Sequence, residues 1–426
     1  MKKIVKRKES ILSIREKKLA YSLVLPTMIL VLSIVIIPLL ANFWISFKPI
    51  SLGDLRPPKL ILKENVRSKL SPTNDFSKIQ YRYRNSSSKY QLNDVTISDL
   101  LPKGITVTSI KSQHNCNIEN DKLFCKLGEI APKAFGKIVL TITKNEFWND
   151  NVNPKFHKPK ATYNSTNILT SLEFTLDNFK KIFSASEFWD VLKVSIYYTI
   201  FGTAGALLIG LFTAQIVNKS FKGRPFIRGL LLFPYVSPVI AVAFSWVILF
   251  DPYSGIVNSL LIQMEVIEKP INFFGQKYTP INIFGYQFDF PLALSMVIIF
   301  EIWRYFPLSF LFILARIQSI PQDIYEAAEI DGATPLQQFY YLSIPFLIGI
   351  IAVLFLLRFI WTFNKFDDIF LLTGGNAGTR TLTVNVYEQA FAISNLGAGA
   401  AVAVVIFIFL LIFSIIFIKF SKKDAI

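Results

Sequence analysis

The chain has 426 residues, 52% of them hydrophobic, with a formal net charge of +16 at pH 7 and a mean hydropathy of +0.44, values that point to a membrane protein once the apolar residues prove clustered. The charge does not indicate nucleic-acid reading, because there is no basic helix with interleaved aromatics and no known reader motif. Nor is the chain an ATPase: no Gly-x-x-x-x-Gly-Lys-Ser/Thr phosphate loop exists, and Gly374-Gly-Asn-Ala-Gly-Thr-Arg-Thr has glycines without the lysine.

In chain order, residues 1–20 form a basic terminus with Lys2, Lys3, Lys6, Arg7, Lys8, Arg15, Lys17 and Lys18. The first apolar run, about Leu23 to Phe47 within residues 21–47, is too long for a signal-peptide core and has no small-residue cleavage site after it, which predicts a signal anchor. A polar region of about 140 residues follows, far longer than an ordinary loop, and is expected to contain a folded domain. We place an extracytoplasmic insertion at 48–171, with strands at about 79–145 from Ile79–Tyr83, Val95–Leu100, Ile105–Ile110, Leu123–Leu127 and Lys137–Thr143, and turn chemistry at Pro102, Gly104, Asn117–Asp121 and Pro132. Ser51–Leu70 and Lys144–Thr170, rich in Pro, Asn and Lys, read as tethers. Cys116 and Cys125 are the only cysteines. An oxidising compartment favours their pairing, while two free thiols or half of a metal site are the alternatives. With only His114 and His157 for company, no four-ligand zinc site is expected. Asn85-Ser-Ser and Asn164-Ser-Thr match glycosylation acceptors, a pattern that arises often by chance.

Five further runs reach the roughly 20 residues a helix needs to cross a bilayer: Val194–Val217, Phe226–Phe250, Pro291–Leu314, Ile344–Phe363 and Ala400–Ile418. With the first run they predict six transmembrane helices. Lys219, Lys222, Arg224 and Arg228 between the second and third, and Lys419, Lys422 and Lys423 at the end, join the basic N-terminus on the cytoplasmic side, against only Lys269, Lys277, Lys365 and Arg380 in the short outer loops. Both termini are therefore expected inside. The lysine-rich insertion does not conflict with this, since long segments translocate largely regardless of charge.

Ionisable groups inside spans are costly and so are functional candidates. Glu301 and Arg304, three residues apart in the fourth span, have the spacing of a helical pair. Arg358, Thr362 and Lys365 share one face of the fifth. A structural Glu301–Arg304 pair and a snorkelling Arg358 are the plain reading of the same residues.

Between the fourth and fifth spans, Ile320 to Pro345 reads Ile-Pro-Gln-Asp-Ile-Tyr-Glu-Ala-Ala-Glu-Ile-Asp-Gly-Ala-Thr-Pro-Leu-Gln-Gln-Phe-Tyr-Tyr-Leu-Ser-Ile-Pro. Pro321 suits a first helical turn, Asp323 the positive end of a helix dipole and Gly332 a left-handed terminator, after which Thr334-Pro335 starts a second helix. Ala327 and Ala328 leave one side low enough for another protein to approach, with Tyr325 and Ile330 as apolar anchors. An ordinary cytoplasmic hairpin is the alternative.

This segment closely resembles the coupling (EAA) loop of permease subunits in binding-protein-dependent ABC importers, with Glu326, Ala327, Ala328, Asp331, Gly332 and Pro345 at matching positions. The resemblance continues from Leu172 to the C-terminus through Arg224-Pro-Phe-Ile-Arg-Gly-Leu-Leu-Leu-Phe-Pro-Tyr, Trp303-Arg-Tyr-Phe-Pro, Phe363-Asn-Lys-Phe-Asp and Leu372-Thr-Gly-Gly, in the manner of the maltose and glycerol-phosphate branch. It implies an all-α polytopic membrane protein with a permease core at 172–426 and a coupling loop at 320–345 meeting the ATPase through Tyr325, Glu326, Ala327, Ala328, Asp331 and Gly332. The Trp303 and Trp361–Phe366 regions are implied in the sugar site, making Glu301, Arg304, Tyr305, Arg358, Thr362, Asn364 and Lys365 candidates for the substrate path. The chain itself is expected to need no cofactor or metal. ATP and Mg would be used by an ATPase dimer, with a second permease, an extracytoplasmic solute-binding protein and membrane lipid as the other partners in a bacterial inner membrane. Within the insertion, Asp99-Leu-Leu-Pro-Lys-Gly-Ile-Thr-Val and Cys125-Lys-Leu-Gly-Glu-Ile-Ala-Pro resemble a repeat module of bacterial surface proteins, an immunoglobulin-like β-sandwich. Import of a non-sugar or anionic solute, ATPase-independent secondary transport, and a helix-anchored surface adhesin or sensor are the rival readings.

Overall fold

The computed structural model describes residues 11–67, 76–147, 158–283 and 285–421; Lys2, Lys3, Lys6, Arg7, Lys8, His157, Lys422 and Lys423 lie outside the described residues. Two compact units are present, one formed by Lys48–Thr175 and the other by the flanking sequence. The flanking unit begins with α1 (Ile11–Val31), which passes through one π-helical turn into α2 (Ile37–Ser46). Almost every described side chain of this long run is exposed, as suits a helix surrounded by lipid. Phe43 near its end meets Phe407 edge to face at 5.7 Å.

The Lys48–Thr175 unit contains β1 (Leu60–Arg67), β2 (Phe76–Asn85), β3 (Leu92–Leu100), β4 (Ile105–Lys111), β5 (Asn115–Glu119), β6 (Lys122–Ile130), β7 (Phe135–Lys144) and β8 (Lys160–Ser165). They form two antiparallel four-stranded sheets in the orders β1-β2-β7-β4 and β5-β6-β3-β8. Strand alternation sends every second residue inward, so Ile79, Tyr81 and Tyr83 of β2 and Ile138, Leu140 and Ile142 of β7 share one core with Ile97 and Leu123 of the second sheet. The Tyr81 hydroxyl, buried there, donates to Asp99 Oδ2 at 2.5 Å. Burial first, and the Asp99 carboxylate second, push this phenol well above its ordinary range.

The sheets reach beyond 79–145. Segments read as tethers supply β1 and β8, whose burial alternates along the chain in the pattern of half-exposed edge strands. β5 runs on into what reads as a turn, as far as Glu119, and the turn itself is confined to Asn120 and Asp121, both at positive φ. Asn85 is not available as a glycosylation acceptor. It is buried, and its amide donates to the carbonyls of Tyr90, Ile130 and Ala131 at 2.9, 3.2 and 3.2 Å. Cys116 and Cys125 face each other in the β5–β6 register and are joined as a disulfide.

After the insertion the flanking unit resumes with α3 (Asp177–Ser184), α4 (Ser186–Asn218), α5 (Arg224–Val236), α6 (Val239–Leu249) and α7 (Ile256–Gln263). A hairpin of β9 (Thr279–Ile283) and β10 (Tyr286–Phe290) leads into α8 (Leu292–Gln318). Then come α9 (Gln322–Ile330), α10 (Pro335–Gln338), α11 (Ile344–Phe363), α12 (Asp367–Thr373), α13 (Leu382–Tyr387) and α14 (Leu396–Ser421). Among the described residues, five helical runs are long and apolar enough to cross a membrane: Arg15–Ser46, Ser186–Asn218, Leu292–Gln318, Pro335–Phe363 and Leu396–Ser421. The predicted third span, Phe226–Phe250, is not one continuous helix. α5 and α6 are bent by 91° at Ser237-Pro238 and make a sixth candidate only as a pair, because proline cannot donate the amide that would continue the helix. α4 and α8 form the centre of the unit. A β-carbon on Gly202 would lie 2.9 Å from Glu301 Cγ and one on Gly210 only 2.6 Å from Ser309 Cβ, so these helices meet at a separation that larger residues would not permit.

Reopening the loop between Cys116 and Cys125, whose sequence separation is 9, is expected to destabilise the inserted unit by about 2.5 kcal/mol in the chain-entropy treatment. Limited proteolysis of the intact protein before and after reduction measures this. Cleavage within Lys48–Thr175 should become faster, and an unchanged rate after complete reduction would count against a stabilising bond.

Candidate functional site

Three helices converge on one carboxylate. Glu301 of α8 is fully buried; its Oε1 accepts hydrogen bonds from Arg358 Nη2 at 2.6 Å and Thr362 Oγ1 at 2.9 Å, both on α11, and its Oε2 accepts from the Tyr198 hydroxyl of α4 at 3.0 Å. Gly202, one turn from Tyr198, makes room for the Glu301 side chain. A carboxylate in this setting is tolerable only because an opposite charge and two hydroxyls replace its lost hydration.

The expected pairing of Glu301 with Arg304 is therefore not made. Arg304 points to the break between α5 and α6, where its guanidinium donates to the carbonyl oxygens of Pro234 at 3.4 Å and Ser237 at 3.0 Å. These carbonyls face the bend introduced by Pro238, and Arg304 provides the donors that a continued helix would have supplied. Nor does Arg358 snorkel. It is 1% exposed and lies over the Tyr305 ring at 4.6 Å.

Tyr305 links this pair to a second polar group. Lys365 Nζ sits 3.8 Å from the Tyr305 ring centroid and donates to its hydroxyl. Asp368, at the start of α12, is buried, with Oδ2 3.6 Å from Lys365 Nζ and Oδ1 4.0 Å from Arg304 Nε, yet among the described residues neither carboxylate oxygen has a hydrogen-bond partner. Asp368 and Tyr198 are members of the cluster that the sequence reading missed. Asp368 had a legible signal, since it lies three residues after Lys365 in the first turn of a helix. Tyr198 had none.

Thus Glu301, Arg304, Tyr305, Arg358, Thr362 and Lys365 come together, whereas Asn364 does not: it is exposed and its amide is spent on the carbonyl of Ile360 in its own helix. Trp361 is also exposed, at 54%, and Trp303 packs with Trp246 and Phe300 beside the cluster. A groove of about 1380 Å³ lies elsewhere on α4 and α8, along Tyr197, Phe201, Leu208, Ile298 and Ile302, and no member of the charged cluster lines it.

Beyond α8, the chain leaves the apolar region through α9 and α10. Pro321 precedes α9 as its N-cap rather than entering its first turn, Asp323 lies in that turn, and Gly332 ends the segment at φ +82°. Thr334 caps α10, reciprocally bonded with Gln337. Glu326, Ala327, Asp331 and Gly332 are exposed, as is Ile330 at 87%, while Ala328 is half-buried. Tyr325 is held back by a 2.9 Å hydrogen bond between its hydroxyl and that of Ser343, immediately before α11. The exposed side of α9 thus offers small and acidic residues plus one large apolar side chain.

A polytopic chain whose ionisable groups are gathered between crossing helices, with a capped helical loop emerging beside them, has the build of a membrane permease. Residues 206–423 match the family described as binding-protein-dependent transport system inner membrane component, and the chain belongs to that family. It is 36% identical over 223 residues to the inner membrane ABC transporter permease protein YcjO of Escherichia coli, covering 52% of this chain and 71% of that protein. It is 33% identical over 222 residues to the trehalose/maltose transport system permease protein MalF of Thermococcus litoralis, covering 52% and 70% respectively. For the sn-glycerol-3-phosphate transport system permease protein UgpA of Salmonella choleraesuis the figures are 30% over 233 residues, 52% and 71%. Among solved structures, a bacterial ABC transporter involved in the import of the acidic polysaccharide alginate superposes with a TM-score of 0.54 at 19% identity, over 60% of this chain and 86% of that one, which establishes the shared fold. The chain is accordingly an inner-membrane component of a transport system.

Breaking the Glu301–Arg358 pair from one side should cost about 3–5 kcal/mol, because it leaves a buried charge uncompensated. Glu301→Leu or Arg358→Met alone is expected to lower the melting temperature of the detergent-solubilised protein, and the double variant to recover most of the loss. A double variant no better than the worse single one would contradict the pairing.

Proposed function

We propose that this chain is one of two non-identical permease subunits of an ATP-driven importer for a carbohydrate or polyol, which it receives from an extracytoplasmic solute-binding protein. The importer comprises a second permease and an ATPase dimer that uses ATP and Mg; this chain carries neither. It crosses the inner membrane six times, with the bent α5–α6 pair as the third span and both termini in the cytoplasm. Its insertion is an immunoglobulin-like sandwich on the outer side. The single observation that carries this reading is the direct connection of an exposed α9–α10 loop to the two helices, α8 and α11, that share the buried Glu301–Arg358 pair. A docking partner that moves the loop thereby acts on the polar cluster. The relatives named for trehalose/maltose and glycerol-3-phosphate transport support the solute class.

The cluster favours a solute with hydroxyl groups. Asp368 offers two buried oxygens that lack hydrogen-bond partners among the described residues, and a carboxylate accepts well from sugar hydroxyls. The case for an anionic solute, which rests on convergence of Arg304, Arg358 and Lys365, is weaker because Arg358 is engaged by Glu301 and the other two lean on Asp368. Secondary transport has no comparable support.

Co-expression with its neighbouring subunits should yield a complex containing ATPase, and proteoliposomes of that complex should take up sugar or polyol only with ATP and binding protein. Uptake by this chain alone on an ion gradient would overturn the reading. Gly332→Asp is expected to abolish uptake with membrane insertion intact, since a side chain at this left-handed position is strained by roughly 1 kcal/mol or more and redirects the loop; normal uptake by a well-inserted variant would remove Gly332 from the coupling path. Asp368→Asn should lower the uptake rate by about tenfold and Asn364→Ala by no more than about twofold, given the cost of disturbing an intramembrane ionisable group against an exposed amide. Equal effects in a transport assay would argue against a solute role for Asp368.

A further inference from the structure

The outward face of the β1-β2-β7-β4 sheet is cationic, with two rows of basic residues on either side of the uncharged row Asn65, Gln80 and Val139. The register places Lys63, Arg82 and Lys137 side by side across three strands, Arg67 beside Lys78, and Arg84 beside Phe135. Lys111 on β4 extends the same face. All of these side chains are exposed, and no outward position of the four strands carries an acidic residue. Like charges directly opposite one another destabilise a sheet, so this arrangement works against the fold that displays it. The other sheet differs: Lys122 has Glu119 opposite it, and Lys126 has Thr96 and Asn115.

The face changes character from one edge to the other. The cations lie mainly on β1 and β2; β7 and β4 contribute Thr141 and Thr143 beside Ser109 and Thr106. Phe135, 83% exposed, projects next to Arg84. Guanidinium forks bind carboxylates in bidentate fashion, hydroxyls bond sugar hydroxyls, and an exposed ring gives a pyranose an apolar plane. Neighbouring strands are about 4.8 Å apart and each residue advances about 3.4 Å along a strand, so cations stand side by side within a row and the Lys63–Arg82–Lys137 and Arg67–Lys78 rows repeat roughly 14 Å apart, a spacing for successive anions along a polymer.

We propose that this sheet face is a binding surface for an acidic polysaccharide, a linear sugar polymer bearing carboxylates. An anionic lipid surface would match the charge but would make no use of the hydroxyl-bearing strands. The assignment goes beyond the transport role and does not depend on which solute is carried.

The test uses the full chain in nanodiscs of neutral phosphatidylcholine, titrated with a labelled polyuronate oligomer, a neutral glucan of equal length, and vesicles containing phosphatidylglycerol. Polyuronate should bind in preference to glucan, more weakly as salt rises. Replacing Lys63, Arg82 and Lys137 together with Ser should weaken binding by about tenfold or more, while Ser at Lys122, Lys126 and Lys160 on the opposite sheet should leave it within about twofold. Because the first triple variant removes cross-strand repulsion, it should melt no lower than the parent, which separates a binding role from a structural one. Equal binding of glucan, salt-independent binding by the parent, or full affinity in the Lys63, Arg82 and Lys137 variant would overturn the proposal. Capture by phosphatidylglycerol vesicles without polyuronate binding would also overturn it, and would assign the face to membrane instead.

Discussion

The carboxylate of Glu301 sets the arrangement of the membrane unit. An ionised group cannot remain in an apolar bundle unless donors surround it, and here they come from α4 and α11 as well as from an opposite charge. The glycine at 202 is part of the same requirement, because any larger residue would occupy the space that Glu301 Cγ fills. Three helices that hydrophobic packing alone would allow to slide are thereby given one register. α8 and α11 are also the helices on either side of the α9–α10 loop, and the Tyr325–Ser343 hydrogen bond ties that loop to the beginning of α11. The loop and the buried pair are consequently two connections between the same two helices, one in the apolar region and one outside it.

Arg304 answers a different constraint. A helix broken by 91° inside an apolar region exposes carbonyl groups that lipid cannot satisfy. By bonding Pro234 and Ser237, Arg304 lets α5 and α6 diverge beside the cluster. Its cationic head is held next to Asp368, so the bend and the polar cluster are chemically coupled. A straight helix at Ser237 would use the Ser237 carbonyl internally, but Pro238 has no amide to offer the carbonyl of Pro234, which would still need Arg304.

The spans and the α9–α10 loop were legible because their signals are local. Hydropathy over a window of helical length finds α4, α8, α11 and α14, and the glycine at 332 needs only its own backbone conformation to be understood. The partners of Glu301 were not legible, since Arg358 and Thr362 lie 57 and 61 residues away and the nearer Arg304 offered a plausible helical spacing. The bend at Pro238 was hidden by an unbroken apolar run, in which hydropathy reports depth but not direction. Strands β1 and β8 were obscured by their position at sheet edges, where only one side is paired and polar residues are tolerated. What makes them strands is the core they cover, which lies elsewhere in the sequence.

The positive charge of the chain also has two physical origins. Basic residues beside the spans bias how the helices insert, and their effect requires only proximity to the membrane. Those on the β1-β2-β7-β4 sheet are ordered by strand register, which brings residues far apart in sequence, such as Lys63 and Lys137, into one row. Their inward neighbours, including Ile79, Tyr81 and Ile138, are fully buried. The core therefore fixes which way each strand faces and leaves the cations no option but to share a surface. A one-residue slip of β2 would relieve the repulsion and at the same stroke expose that core, so hydrophobic burial holds the charged face in place.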